Sequence, residues 1–215
     1  MTVSSLTGIV NYGIGNVRSV QNAVEKVGGT PLLSADVEQL MQCDRLILPG
    51  VGAFAHGIAQ LRAGELDKLL DDFVADGRPV LGICLGMQLL TQGSLEFDDT
   101  AGLGFTDGQA TQLQAPKDAS DFRLPHVNWK TLRRKPGVVD WFYEGVNPAA
   151  RFYFIHSFGV QGDVPDIAAW AEHSGVEFAA VIARNNVIGT QFHPEKSGPQ
   201  GLKMLGNFVS KGNKQ

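Results

Sequence analysis

The sequence predicts an α/β fold: a three-layer, doubly wound, mainly parallel sheet flanked by helices on both sides. Three observations predict it. Extended apolar segments alternate with segments of helical period across residues 6–90. The run at residues 79–83 is continuously apolar, as a strand covered on both faces is. Glycines stand at most of the hand-overs between the two kinds of segment.

The elements justify themselves in order. Residues 6–11 are apolar and β-branched, and the turn at Gly13 and Gly15 opens a helix that carries Val17, Val20, Ala23, Val24 and Val27 on one face. Gly28 and Gly29 end it before a short extended piece at residues 31–33. A further apolar run at residues 45–48 leads into PGVGAF (49–54). Leu66, Leu69, Leu70, Phe73 and Val74 then form the stripe of an amphipathic helix closed by Gly77. After the strand at 79–83, GMQLL opens another helix. From residue 93 to 148 the chain is polar and rich in glycine and proline, which predicts loops and edge strands, one of them near residues 109–113. RFYFIHSF (151–158) reads as a strand. Residues 178–184 and 187–193 flank Asn185-Asn186, a pair able to form a tight hairpin turn, and Leu202, Leu205, Phe208 and Val209 mark a closing helix.

Composition narrows the function classes. A length of 215 residues fits one domain spanning 1–215, with no room for a second catalytic unit. Hydrophobic residues at 43% and charged residues at 19% argue against disorder. A net charge of -4 offers no basic excess for nucleic acid. Neither a secretory leader nor a membrane-spanning apolar run is visible, so no membrane association is expected. Two cysteines, Cys43 and Cys84, are too few for a disulfide framework and point to the reducing cytoplasm.

The sharpest local pattern is G-x-C-x-G at residues 82–86, placed where a buried strand hands over to a helix. It is a cysteine version of the nucleophile elbow. Glycines two residues either side make room for the sharp turn, which presents Cys84 to solvent beside the unpaired N–H groups of a helix start, where a thiolate is favoured. The competing reading is a free cysteine that simply fills the core. Among the five histidines, His193 has a distinctive neighbourhood. Extended backbone puts His193 and Glu195 on one face, and Pro194 favours that backbone, so the carboxylate could orient the imidazole and stabilise its charged form. The alternative is a strand end with an incidental carboxylate. PGVGAF lies at the carboxyl end of a parallel strand, where open α/β sheets place their sites. Gly52 there and Leu85 at the elbow could supply backbone N–H donors to an oxyanion, although a plain tight turn has the same composition. Arg18 occupies the third-glycine position of a dinucleotide fingerprint, and phosphate-loop, H-E-x-x-H and C-x-x-C patterns are missing from the sequence. No cofactor and no metal are expected.

GICLGMQLL (82–90), PGVGAF (49–54) and QFHPEKSG (191–198) together resemble the triad-type, class-I glutamine amidotransferases. NYGIGNVRSVQNAV (11–24), PHVNW (125–129), YFIHSF (153–158) and Met87 narrow the resemblance to the glutaminase-subunit family of imidazole glycerol phosphate synthases, over nearly the whole chain. The resemblance implies a flavodoxin-like fold and a thioester mechanism with Cys84 as nucleophile, His193 as general acid and base, and Glu195 as its orienting partner. It further implies that Gly52 and Leu85 donate to the oxyanion and that Gln88, Glu96 and Ser157 contact glutamine. The implied partner is a separate (β/α)8-barrel cyclase, joined in a heterodimer, that receives ammonia through an internal channel and makes imidazole glycerol phosphate for histidine biosynthesis. Asn11 and Asn128 depart from the family pattern near its subunit interface. Rival readings are an amidotransferase serving another acceptor, a cysteine hydrolase or peptidase of similar fold, and a noncatalytic binding module.

Overall fold

In a computed structural model of the chain, residues 5–114 and 122–211 are described. The first half runs β1 (Leu6–Val10), α1 (Val17–Lys26), β2 (Thr30–Ser34), α2 (Val37–Met41), β3 (Arg45–Gly50), α3 (Phe54–Ala63), α4 (Leu66–Ala75), β4 (Val80–Cys84) and α5 (Leu85–Leu89). Short strands follow: β5 (Gly93–Ser94), β6 (Thr100–Ala101), β7 (Gln109–Gln112), β8 (His126–Thr131) and β9 (Arg133–Arg134). The chain closes with β10 (Arg151–His156), β11 (Phe158–Val160), β12 (Ile167–His173), β13 (Val176–Arg184), β14 (Val187–Thr190) and α6 (Gly198–Lys211). No helix among the described residues is long and apolar enough to cross a membrane.

The main sheet has the order β2-β1-β3-β4-β14-β13-β12-β9. Its first five strands are mutually parallel, and β13, β12 and β9 extend it antiparallel. The parallel part is the predicted alternation. The antiparallel part grows from the hairpin at Asn185-Asn186, where Asn185 has a φ of 52°. Alternation along each strand splits the core into two layers. Ile47, Leu81 and Ile83 face α1 and α6 through Val20, Val24, Leu205 and Phe208. Leu46, Leu48 and Val80 face the other side, against Leu40, Ile58, Leu61, Leu69, Leu70 and Phe73 of α2 to α4. Full burial of each such side chain contributes roughly 1.5–3 kcal/mol, so both faces of β3 and β4 must stay covered.

Two elements differ from the sequence reading. Helices α2 and α3 lack a strong apolar stripe, so sequence periodicity does not reveal them. RFYFIHSF is not one strand: β10 pairs with β8, the chain breaks at Ser157, and β11 pairs instead with β7 in a four-stranded sheet. The strand propensity is uniform through Phe158, so only the two different partners reveal the break. Within the polar 93–148 stretch, residues 115–121 lie outside the described part.

Candidate active site

The elbow forms because backbone meets backbone. Cys84 ends β4 and precedes α5 with φ 55° and ψ -110°, a conformation that costs a non-glycine residue roughly 1–3 kcal/mol. Close packing on both sides holds it there. A Cβ on Gly86 would lie 1.8 Å from the Leu48 carbonyl oxygen, and one on Gly82 would lie 2.7 Å from the backbone of Gly86. The expectation of a thiol presented to solvent needs correction: Cys84 is only 7% exposed, because the small sheets roof the elbow. The thiol instead faces a cavity.

That cavity has a volume of about 390 Å³. Gly52, Cys84, Leu85, Gln88, Glu96, Ser157 and His193 all line it, and seven positions scattered between residues 52 and 193 thereby converge. Glu195 does not line it. It sits behind His193, whose Nδ1 is 2.8 Å from Glu195 Oε1, both side chains being almost fully buried. The route to this pair differs from the sequence argument. His193 is extended as Pro194 requires, but residues Pro194–Lys196 form a 3₁₀ turn, so a turn rather than a shared strand face brings the carboxylate back to the ring. The backbone of His193 is pinned as well: its N–H donates to the Tyr153 carbonyl at 3.0 Å, and its carbonyl accepts from Ser197 Oγ at 2.7 Å.

Burial pushes the His193 imidazolium down, but the neighbouring Cys84 sulfur and the Glu195 carboxylate outweigh it and raise the group to about 9 from 6.5. The ring is therefore charged at neutral pH, and it lines the cavity. A raised folded-state value stabilises the fold fully below about 6.5, and that contribution disappears as pH rises through about 9. Urea midpoints are expected to fall across this window, and the fall should be shallower in Glu195→Gln. Parallel curves for the two proteins would remove Glu195 as its source.

Glu96 has a second engagement. Its Oε2 accepts the Phe54 N–H at 2.6 Å. Ala53 offers no side-chain cap to α3, so a carboxylate 42 residues away satisfies the helix start and ties the Gly52 loop to the cavity wall. Gln88 Nε2 donates to the Phe158 carbonyl at 2.9 Å and to Gln191 Oε1 at 3.0 Å. Gln191, fully buried and 3.7 Å from the Cys84 sulfur through Nε2, had no role in the sequence reading, since a strand-end glutamine gives no periodic signal. His156 also lines the cavity, packed with His126, His173 and Phe178 in an aromatic cluster. His56 is exposed on α3. Cys43 is a core residue: its thiol donates to the Gln39 carbonyl at 3.7 Å, and burial pushes it up to about 11.

With that geometry in place, residues 9–211 match the family Glutamine amidotransferase class-I. The chain belongs to this family. Among curated relatives, the protein named imidazole glycerol phosphate synthase subunit HisH from Rhodopirellula baltica is 40% identical over 202 residues, covering 94% of this chain and 96% of the relative. Its namesake from Methanosarcina acetivorans is also 40% identical, over 94% and 96% of the two chains. Solved structures share the fold at lower identity. A crystal structure titled glutamine amidotransferase aligns with a TM-score of 0.69 at 16% identity, over 94% of this chain and 97% of that one. One chain of a structure titled Structure of PurLQS from Thermotoga maritima aligns with a TM-score of 0.67 at 20% identity, over 96% of this chain and 98% of that one. The mainly parallel sheet and its helical layers are thus those of a class-I glutamine amidotransferase.

Proposed function

We propose that this amidotransferase is the glutaminase subunit of an imidazole glycerol phosphate synthase, with Cys84, His193 and Glu195 as its triad. The observation that carries the reading is the convergence of Cys84 and His193, the latter backed by Glu195, on one cavity with Glu96 and Gln88. The HisH relatives, matched over nearly their full length, support the acceptor.

The chemistry follows from the side chains. The Cys84 thiolate attacks the carboxamide carbon of glutamine, and the charge that develops on oxygen is met by N–H groups of Gly52 and Leu85. Charged His193 gives its proton to the departing nitrogen, ammonia leaves, and a thioester remains. Sulfur in a thioester carries no charge, so one of the two influences that raise His193 is gone. The now neutral ring takes a proton from water, which attacks the thioester; glutamate departs, and thiolate and imidazolium are restored. Glu195 keeps the ring oriented throughout, and Glu96, Gln88 and Ser157 hold glutamine, Glu96 through its α-ammonium group.

Ammonia leaves for a second polypeptide, a cyclase of barrel form in a heterodimer, in the cytoplasm. Exposed apolar side chains support a docking surface around the cavity mouth. Val51 and Ile155 line the cavity, Leu95 and Phe97 flank Glu96, and Val127 pairs across β8 and β10 with Ile155, two residues before Trp129; all six are 40% exposed or more. Asn128 is exposed on the same strand. Apolar groups gathered in this way mark interaction sites. The test is glutamate release by the purified chain alone, with the cyclase, and with the cyclase and its nucleotide ligand. Stimulation of at least about tenfold is expected in the last case; equal turnover in all three would overturn the assignment.

A further inference from the structure

We infer that Gln191 is a positioning residue for the nucleophile: its side-chain amide donates to the Cys84 sulfur and holds it in the attacking orientation. This rests on Cys84 being the nucleophile, as proposed above.

The orientation of the amide is dictated by one backbone group. A carbonyl oxygen only accepts, and that of Phe158 lies 2.9 Å from Gln88 Nε2, so Gln88 must turn its NH₂ group toward it. The second N–H of that group goes to Gln191 Oε1 at 3.0 Å. With its oxygen so engaged, Gln191 presents its own NH₂ to sulfur at 3.7 Å. The same carbonyl sets the imidazoles behind it. His156 Nδ1, 2.9 Å away, must carry the proton, which leaves Nε2 to accept from His126 Nδ1 at 3.2 Å. Burial first, and then the neighbouring rings, drive His126 down to about 3; burial likewise drives His156 down to about 4. Both stay neutral and the arrangement keeps a single sense across neutral pH.

A buried amide is costly unless satisfied, and Gln191, at 0% exposure, directs both ends of its amide to residues of the cavity. Besides the His193 ring next to it, the sulfur contacts the Ile155 carbonyl at 3.9 Å, a bond that only a protonated thiol can donate. Loss of the proton abolishes that bond and strengthens the one from Gln191, because an N–H donated to a charged acceptor is worth more.

The experiment compares the full chain with Gln191→Met, measuring iodoacetamide labelling at each cysteine by mass spectrometry. Buried Cys43 serves as an internal sensor of folding. Cys84 labelling is expected to slow about tenfold with Cys43 still protected, and kcat for glutamine to fall by a similar factor with KM little changed. Unchanged Cys84 labelling would overturn the proposal, and so would a raised KM without slower labelling, since Gln191 would then act only through Gln88. Should the methionine variant expose Cys43, Gln191→Leu decides; exposure of Cys43 in both would make Gln191 a purely structural residue and reject the idea. Labelling reads the sulfur whatever the substrate is. Failure of the parent chain to consume glutamine even with the cyclase and its nucleotide ligand would therefore sink the glutaminase assignment and leave the labelling ratio interpretable.

Discussion

Cys84→Ala is expected to abolish glutamine hydrolysis, by about 10⁴-fold or more, while the synthase assembled with the variant still uses free ammonia. The size of the loss follows from the proposed mechanism: without sulfur no thioester would form, and the oxyanion donors and charged imidazole proposed above would have no nucleophile to assist. The fold should tolerate the change. The substituted side chain faces the cavity, and alanine at a positive φ carries about the same backbone strain as cysteine. Two assays check it on one sample, glutamate release from glutamine and product formation driven by ammonium. Residual glutamine turnover above the background rate would remove Cys84 from the chemistry. Loss of the ammonia-driven reaction as well would mean that the variant no longer supports the partner.

The largest effect on stability is expected at Gly86→Ala. The added Cβ would lie 1.8 Å from the Leu48 oxygen and 2.9 Å from its carbonyl carbon. Both are backbone atoms of β3, held between β1 and β4, so no side-chain rotation relieves the clash. Either the strand or the elbow must move. A loss of about 3 kcal/mol or more is expected in urea unfolding, with glutaminase activity lost because the Cys84 turn cannot form. Gly206→Ala is the control. It lies within α6, where a Cβ would meet Val27 at an ordinary 3.5 Å, and the helix preference of alanine should raise stability by about 0.5–1 kcal/mol. Similar unfolding midpoints for the two variants would show that the contact at Leu48 is not what shapes the elbow.

How much of this was legible depends on whether a feature is local. The parallel strands could be read because β3 and β4 are covered on both faces and therefore stay apolar throughout, while the α1 and α4 stripes repeat at helical spacing. Cys84 was legible for a similar reason, since the elbow needs glycine at fixed offsets and those offsets are close in the chain. The break at Ser157 was not, because β10 and β11 have one propensity and two partners, and pairing partners lie tens of residues away. Glu96 was recognisable only through resemblance, and its bond to Phe54 N spans 42 residues with no spacing rule to betray it.

Sequence alone therefore determined the layered α/β plan, the cysteine at the strand-to-helix turn, the His193–Glu195 pair and the family. Tertiary structure alone decided that the thiol is roofed over, that a 3₁₀ turn delivers Glu195 to the ring, and that Gln191 reaches the sulfur. The division has one physical cause. Backbone conformation answers to neighbours a few residues away, whereas burial, proton affinity and hydrogen-bond direction depend on whichever distant segments fill the space around a group.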